Sequence, residues 1–284
     1  MTVVVLATCA DLPGMDTDNA LALPALAAAG VDARVARWDD PAEDWSGCDL
    51  VVIRSTWDYT TRVGEYLRWA ESVPRLANPA KVLRWNTDKR YLRDLEAAGV
   101  PVVPTTWIEP GGAPVLPGSG EYVIKPAVSI GALDTGRYRA GADDDPARAH
   151  LGRLLGAGRT VMIQPYLGAV DTAGETSLLY LGGTFSHGAR KAALLDGPDQ
   201  GEREYRDQVI TAREPSAAEH AVAGAALAQV GGDLLYARVD LVPGPDGEPL
   251  LLELELTEPS LFFGMDPGSP ARFAEAVRRW AARG

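Results

Sequence analysis

The chain is poor in the residues on which many enzyme classes depend. Its 284 residues include two cysteines, Cys9 and Cys48, and three histidines, His150, His187 and His220. Two cysteines make neither a CxxC pair nor a disulfide framework. No HxH, HExxH or paired CxxC occurs, and the histidines are too scattered to suggest zinc. There is no GxSxG elbow, no GxxxxGK[ST] phosphate loop and no GxGxxG after a strand. These absences remove the common serine hydrolases, zinc enzymes, kinases and dehydrogenases. A net charge of −12 with no Lys/Arg-rich run argues against nucleic acid as a partner. No apolar run is long enough to span a bilayer, and the opening "MTVVVLATCADLPG" lacks a basic n-region. A cytoplasmic location is expected.

Lysine is scarce too. Of 27 basic residues only Lys81, Lys89, Lys125 and Lys191 are lysine. A compact ammonium and a planar guanidinium are not interchangeable, so the few lysines point to positions where a point charge is needed.

What is present alternates strand and helix. "VVVLA" (3–7) is an apolar run suited to a strand buried on both faces, followed by a polar loop and a helix from Asp18 to Ala29 that stops at Gly30. "ARVARW" (33–38) and "DLVVIRS" (49–55) follow as strands, then a helix through Ser72. Residues 1–80 thus form a parallel, Rossmann-like unit whose ligands lie beyond the carboxyl ends of its strands, at loops 8–18 and 54–62. Further along, 86–100 is expected as a helix with Asn86 as N-cap and Gly99 as stop. Strands are expected at 103–108, 121–126 and 160–166, a helix near 145–156, and a hairpin turning at Gly182-Gly183. Ser216 and Glu219 make a capping-box pattern for a helix over 216–231, and a last helix spans 270–282.

The segment 234–256 is expected to be a hairpin around Pro-Asp-Gly. In "LLLELEL" (250–256) Leu250, Leu252, Leu254 and Leu256 would share one strand face, and Leu251, Glu253 and Glu255 the other, with Glu258 beyond. On the partner strand Tyr236, Arg238 and Asp240 share a face. A register setting Asp240 against Glu253 sets Arg238 against Glu255. Such a patch is either a charge ladder balanced by arginine or a divalent-cation site; carboxylate oxygens are the hard ligands Mg2+ prefers.

Taken in order, Lys89 opening a helix, Lys125 ending "YVIKP", the Ser/Gly loop 127–137, "IQPY" (163–166), "GETS" (174–177) and "RVDLV…LLELELTEPS" resemble the ATP-grasp superfamily. The resemblance covers essentially the whole chain. It implies an α/β and α+β fold: a Rossmann-like substrate domain (1–85), a central lid subdomain (86–165) and a C-terminal subdomain (166–284). It implies ATP and Mg2+ as cofactors. Lys89 and Lys125 match the phosphate-contacting lysines, and the loop with Ser129 and Gly131 matches the lid. Gln164, Pro165 and Tyr166 match the hinge at the adenine edge, and Glu175 the acidic residue at the ribose. Asp240 and Glu253 match metal ligands. Glu255 stands where the family has Asn, as a metal ligand or as a partner of Arg238. Arg238 and Lys191 would stabilise charge on the transferring phosphoryl group.

The family mostly activates a carboxylate as an acyl phosphate, which an amine then attacks. "RSTWDY" (54–59), "FSHGARK" (185–191) and "ELELTEPSLF" (253–262) resemble the ATP-grasp group containing the cyclo-ligase that closes D-cycloserine from O-ureido-D-serine. That resemblance implies an amino-acid-like small-molecule substrate held by Asp16, Arg54, Trp57, Tyr59, His187, Glu258 and Ser260. Arg54 would clamp a carboxylate; Trp57 and Tyr59 would wall the pocket or pack a domain interface. An intermolecular ligase and a nucleotide-binding module without turnover remain as alternatives, and a homo-oligomer stays open.

Overall fold

A computed structural model describes residues 2–10, 16–199 and 208–283. Part of the expected substrate loop 8–18 therefore lies outside the described residues. The first unit contains β1 (Thr2–Thr8), α1 (Thr17–Ala28), β2 (Val31–Arg37), β3 (Leu50–Ser55), α2 (Val63–Ser72) and the short β4 (Leu76–Ala77). Its four strands pair in parallel in the order β2-β1-β3-β4, as the alternation of strand and helix predicted. All six residues of β3 are buried, which places its end, Arg54-Ser55, inside the molecule.

Two short helices follow, α3 (Ala80–Asn86) and α4 (Tyr91–Ala97). This corrects the expected helix over 86–100. Asn86 is not an N-cap but the last residue of α3; its side-chain amide donates to the Leu254 carbonyl at 2.7 Å and accepts from Leu256 N at 2.8 Å. Those backbone groups lie on the open edge of the last strand of the third sheet and just past its end, and buried backbone groups need partners. Lys89 sits in the turn between the helices.

A second sheet holds β5 (Thr106–Ile108), β6 (Glu121–Pro126), β7 (Gly136–Arg139) and β8 (Val161–Pro165), in the antiparallel order β5-β8-β6-β7, with α5 (Asp144–Gly156) between β7 and β8. β7 occupies the end of the segment expected to be loop, and β5 is shorter than the expected 103–108.

After the short α6 (Val170–Ala173) comes the third sheet: β9 (Glu175–Leu181), β10 (Thr184–Lys191), β11 (Ile210–Ala212), β12 (Tyr236–Pro243) and β13 (Pro249–Glu255), ordered β11-β10-β9-β12-β13. The β9–β10 turn falls on Gly182 and Gly183, both with positive φ. α7 (Ala217–Ala228) begins with the capping box at Ser216 and Glu219, and α8 (Ser269–Ala281) closes the chain.

The cores explain how the sheets are held together. Val4, Leu6 and Leu26 of the first unit share a buried cluster with Leu179 and Leu181 of β9 and Phe273 and Val277 of α8. A second cluster joins Leu92 and Leu95 of α4 to Val239, Leu251 and Leu254 of the β12–β13 hairpin. The first and third sheets thus form one packed body with α4 beneath the hairpin.

Candidate active site

The β12–β13 register sets Arg238 opposite Glu255 and Asp240 opposite Glu253, as expected from the alternation. The alternation itself breaks. The register shifts between Asp240 and Leu241, where Glu253 and Leu251 are successive partners, so Leu252 bulges. Leu251, Leu254 and Leu256 consequently pack in the core beneath the hairpin, while Leu252 joins Glu253 and Glu255 along a cavity. This corrects the assignment of Leu252 to the same face as Leu254 and of Leu251 to the carboxylate face.

That cavity, of about 550 Å3, is walled by the second and third sheets and by the segment that follows β3. From the second sheet and its loop come Lys125, Ser129, Gly131, Gln164, Pro165 and Tyr166. The third sheet contributes Glu175, Lys191, Arg238, Glu253 and Glu255. Trp57, Tyr59, Lys89, Glu258 and Ser260 complete the expected set. Sixteen sequence positions spread over two hundred residues converge on one space. Asp16, Arg54, His187 and Asp240 do not line it.

Electrostatics divides the cations in two. Lys191 Nζ lies 2.6 Å from Glu175 and 2.7 Å from Asp240, and burial, which would lower its pKa, is outweighed by those carboxylates. Lys89 Nζ donates to the Ser129 carbonyl at 2.6 Å and pairs with Glu253 at 3.0 Å. Lys125 differs. It is 8 % exposed, yet among the described residues its ammonium makes neither hydrogen bond nor ion pair, and burial depresses its pKa to about 8. A charge left bare inside a protein is costly unless something supplies the counter-charge.

The carboxylates divide as well. Asp240 accepts from Ser177 at 2.6 Å, from Lys191 at 2.7 Å and from the Arg238 guanidinium at 3.0 Å, and is 1 % exposed. Burial would raise its pKa, but Arg238 and Lys191 hold it well below the carboxylate range. Glu253 is likewise lowered, Lys89 and Lys125 reversing the effect of burial. Glu255, although bound to Arg238, is raised by burial and by the charges of Glu253 and Asp240. Glu258 is raised to about 8, first by burial and then by Glu255.

Would this set hold Mg2+? Glu253 and Glu255 project into the cavity from alternate positions of one strand, and a divalent ion would relieve the repulsion that raises Glu255. One or two carboxylates completed by phosphate oxygens is the usual Mg2+ arrangement. These two fit. Asp240 does not fit in the same way: Lys191, Arg238 and Ser177 take up both its oxygens, so it acts first as the counter-ion that fixes the two cations. Among the described residues no three acidic, histidine or cysteine side chains stand close enough to form a metal cluster by themselves.

Three expected substrate residues turn out to hold the scaffold. Arg54 is 2 % exposed, donates to the Pro259 carbonyl at 3.3 Å, pairs with Asp18 at 3.5 Å and faces the rings of Tyr236 and Phe273. Asp18 in turn accepts from Leu261 N at 2.5 Å and Phe263 N at 2.9 Å, and His187 Nε2 donates to the Leu261 carbonyl at 3.0 Å. Arg54 and His187 therefore pin the 258–263 loop from behind rather than meet a ligand. Asp16 caps α1, accepting from Asn19 N at 2.6 Å. Tyr59 lines the cavity but is 3 % exposed and stacked on Tyr66 at 4.7 Å, and Trp57 belongs to the same apolar cluster, so both pack an interface as well as wall a pocket.

Two contributors escaped sequence reasoning. Ser177 pairs with Asp240 in the β9–β12 register; its alternation with Glu175 along "ETS" was the available signal. Asp18 carried no local signal, since the two amides it binds, Leu261 N and Phe263 N, lie more than 200 residues away.

Residues 4–78 match the family model for the N-terminal domain of D-cycloserine synthetase DcsG. The cycloserine biosynthesis protein DcsG of Streptomyces lavendulae is 39% identical over 295 aligned positions, covering 98% of each chain. The crystal structure of D-cycloserine synthetase DcsG superposes with a TM-score of 0.85 at 36% identity, covering 99% of both chains. A D-alanine–D-alanine ligase from Bacillus anthracis, solved with ATP, has a TM-score of 0.68 at 12% identity, covering 100% of this chain and 98% of that one, a likeness of fold. With such identity along nearly its whole length, the chain belongs to the DcsG family of ATP-grasp ligases.

Proposed function

We propose that the protein is an ATP-dependent carboxylate–amine ligase that activates its substrate as an acyl phosphate and closes it into a ring, with O-ureido-D-serine to D-cycloserine as the leading substrate and product. The observation that carries this reading is the bare Lys125 ammonium beside Lys89, facing Glu253 and Glu255 across one cavity. Two cations and two carboxylates about a common space suit a polyphosphate with a divalent ion between them. Bound there, Mg2+ would be held by Glu253 and Glu255 and would neutralise charge on the phosphates. Identity to the S. lavendulae cycloserine protein supports the substrate class.

In this reading Lys125 and Lys89 hold phosphate oxygens, and Ser129 and Gly131 bring loop backbone close to them. Gln164 to Tyr166 form the wall at the base. Arg238 is fixed by Asp240, by Glu255 and by its 3.0 Å bond to the Ser260 carbonyl, so its charge is already oriented toward the transferring phosphoryl group. The carboxylate oxygen of the substrate attacks the terminal phosphorus and ADP leaves. The oxygen-bound nitrogen of the ureido group then attacks the acyl carbon and displaces phosphate, and the carbamoyl group left on that nitrogen is cleaved by water to carbon dioxide and ammonia, which gives the D-cycloserine ring. Glu258, kept neutral by its burial, lines the same cavity and would exchange a proton with that nitrogen. A cavity of about 550 Å3 favours one small substrate beside the nucleotide over two separate amino acids.

The test is phosphorus NMR of the protein with ATP, Mg2+ and O-ureido-D-serine or pooled amino acids. ADP and phosphate, formed only with the right acceptor, support the reading. AMP with pyrophosphate refutes it.

A further inference from the structure

The segment after β10 leaves the third sheet and crosses to the second. Ala193, Leu194 and Leu195 line the cavity on the way. At the far side the Gly197 carbonyl accepts from Arg137 N at 2.8 Å, so the segment adds one backbone bond at β7. Asp199 then settles on the second sheet. Its amide donates to Tyr138 Oη at 3.2 Å, and its carboxylate accepts from Arg153 of α5 at 2.6 Å and stands 3.7 Å from His150 Nε2. Gly136 makes this seat feasible. A methyl there would lie 2.5 Å from the Asp199 nitrogen and 2.6 Å from Tyr138 Oη, closer than any real contact. The Asp199 carboxylate is 9% exposed although the segment runs over the surface. Nothing in the proposed chemistry uses this cluster.

We propose that Asp199, seated among Gly136, Tyr138 and Arg153, is a positioning residue that holds residues 193–195 as a water-excluding wall of the reaction cavity. The inference rests on the ligase reading. An acyl phosphate is destroyed when water attacks its carbonyl carbon: the acyl C–O bond to phosphorus breaks, water supplies the new oxygen, and carboxylate and inorganic phosphate result. Excluding water until the substrate nitrogen attacks is therefore a condition for coupling ATP use to ring closure. Leu194 and Leu195 supply apolar side chains at that wall, and the Asp199 seat fixes the far end of the segment that carries them. The anchor is charge-assisted, and the strand that receives it also carries Arg137, whose guanidinium stacks 3.5 Å from the cavity-lining Tyr166 ring.

Two variants test this, Asp199→Asn and Arg153→Ala, with Arg153→Lys as the conservative control. ADP released per amide formed is measured together with kcat and KM for ATP, and amide exchange is followed at Arg137. Both variants are expected to release ADP in clear excess over amide while kcat for ADP release is retained. Exchange at Arg137 rises about tenfold, the low end for losing a charge-assisted hydrogen bond because Arg153 is half exposed. Arg153→Lys restores coupling in part. Tight coupling in both variants overturns the proposal, whether or not exchange rises; wild-type exchange in both overturns the seat itself. The exchange readout needs no turnover. A wild type that forms no amide from any acceptor would therefore fail the ligase reading, while exchange alone still upholds or refutes the seat.

Discussion

Lys125→Met should make the protein more stable and unable to bind ATP. Methionine keeps the apolar stem of the lysine and removes the ammonium that no described residue partners. The sign follows from the depressed pKa. An unfolded lysine titrates near 10.5 and the folded one near 8. Below pH 8 both states carry the charge, and the folded state bears the full penalty of burying it. Between pH 8 and 10.5 the folded lysine is already neutral and the penalty shrinks. Above 10.5 it is gone. At about 1.4 kcal/mol per pH unit the gap corresponds to about 3 kcal/mol in favour of the methionine variant at pH 7. Chemical denaturation of both proteins at pH 7 and pH 10, without nucleotide, measures it. ATP with Mg2+ should then raise the wild-type midpoint and leave the variant unmoved, since only a ligand that binds the folded state stabilises it. Equal stability of the two proteins at pH 7 would refute the reasoning, and so would an advantage that persists unchanged at pH 10. Either result would mean that the ammonium is already satisfied and is not waiting for a phosphate.

Other substitutions separate roles that proximity alone would merge. Glu253→Gln should remove turnover at the smaller cost in stability, since only Lys89 loses its ion-pair partner and it keeps its Ser129 bond, whereas Asp240→Asn should remove turnover and cost roughly 3–5 kcal/mol, because Lys191 and Arg238 are then both buried without their shared counter-ion; denaturant midpoints beside ADP release distinguish them. Glu258→Gln should gain on the wild type as pH rises: the folded carboxyl stays neutral up to about 8 while the unfolded one ionises near 4.5, so wild-type stability falls across that window and the glutamine variant does not follow. Melting both at pH 5 and pH 8 checks this, and parallel curves would place Glu258 in solvent. Arg54→Met should cost about 3 kcal/mol by stranding Asp18 and loosening the 258–263 loop; a variant of wild-type stability with a raised substrate KM would instead return Arg54 to the carboxylate-clamp role.

What the sequence disclosed, and what it hid, follows from the range of the forces involved. Period-two alternation is local, so the pairing of Arg238 with Glu255 and of Asp240 with Glu253 was legible, and so was the Ser216–Glu219 capping box. The bulge at Leu252 was not legible, because an extra residue in one strand is decided by what packs on each side: core leucines below, cavity above. The same limit explains Arg54 and His187. Their position after a buried strand and in a charged segment resembled a ligand clamp, but their partners are the Pro259 and Leu261 carbonyls, which only the folded chain brings near. Charge balance was the deepest omission. The sequence supplied four site cations and five site carboxylates without saying which neutralise each other. The fold assigns Lys191 and Arg238 to Asp240 and Lys89 to Glu253, and that pairing leaves Lys125, among the described residues, with no direct ion pair and the Glu255–Glu258 pair without a cation strong enough to keep both ionised. A site built only for stability would have closed those accounts internally, as the Asp240 cluster does. The imbalance is confined to groups that face the cavity, where a ligand carrying both negative phosphates and a divalent cation would meet the two deficits at once.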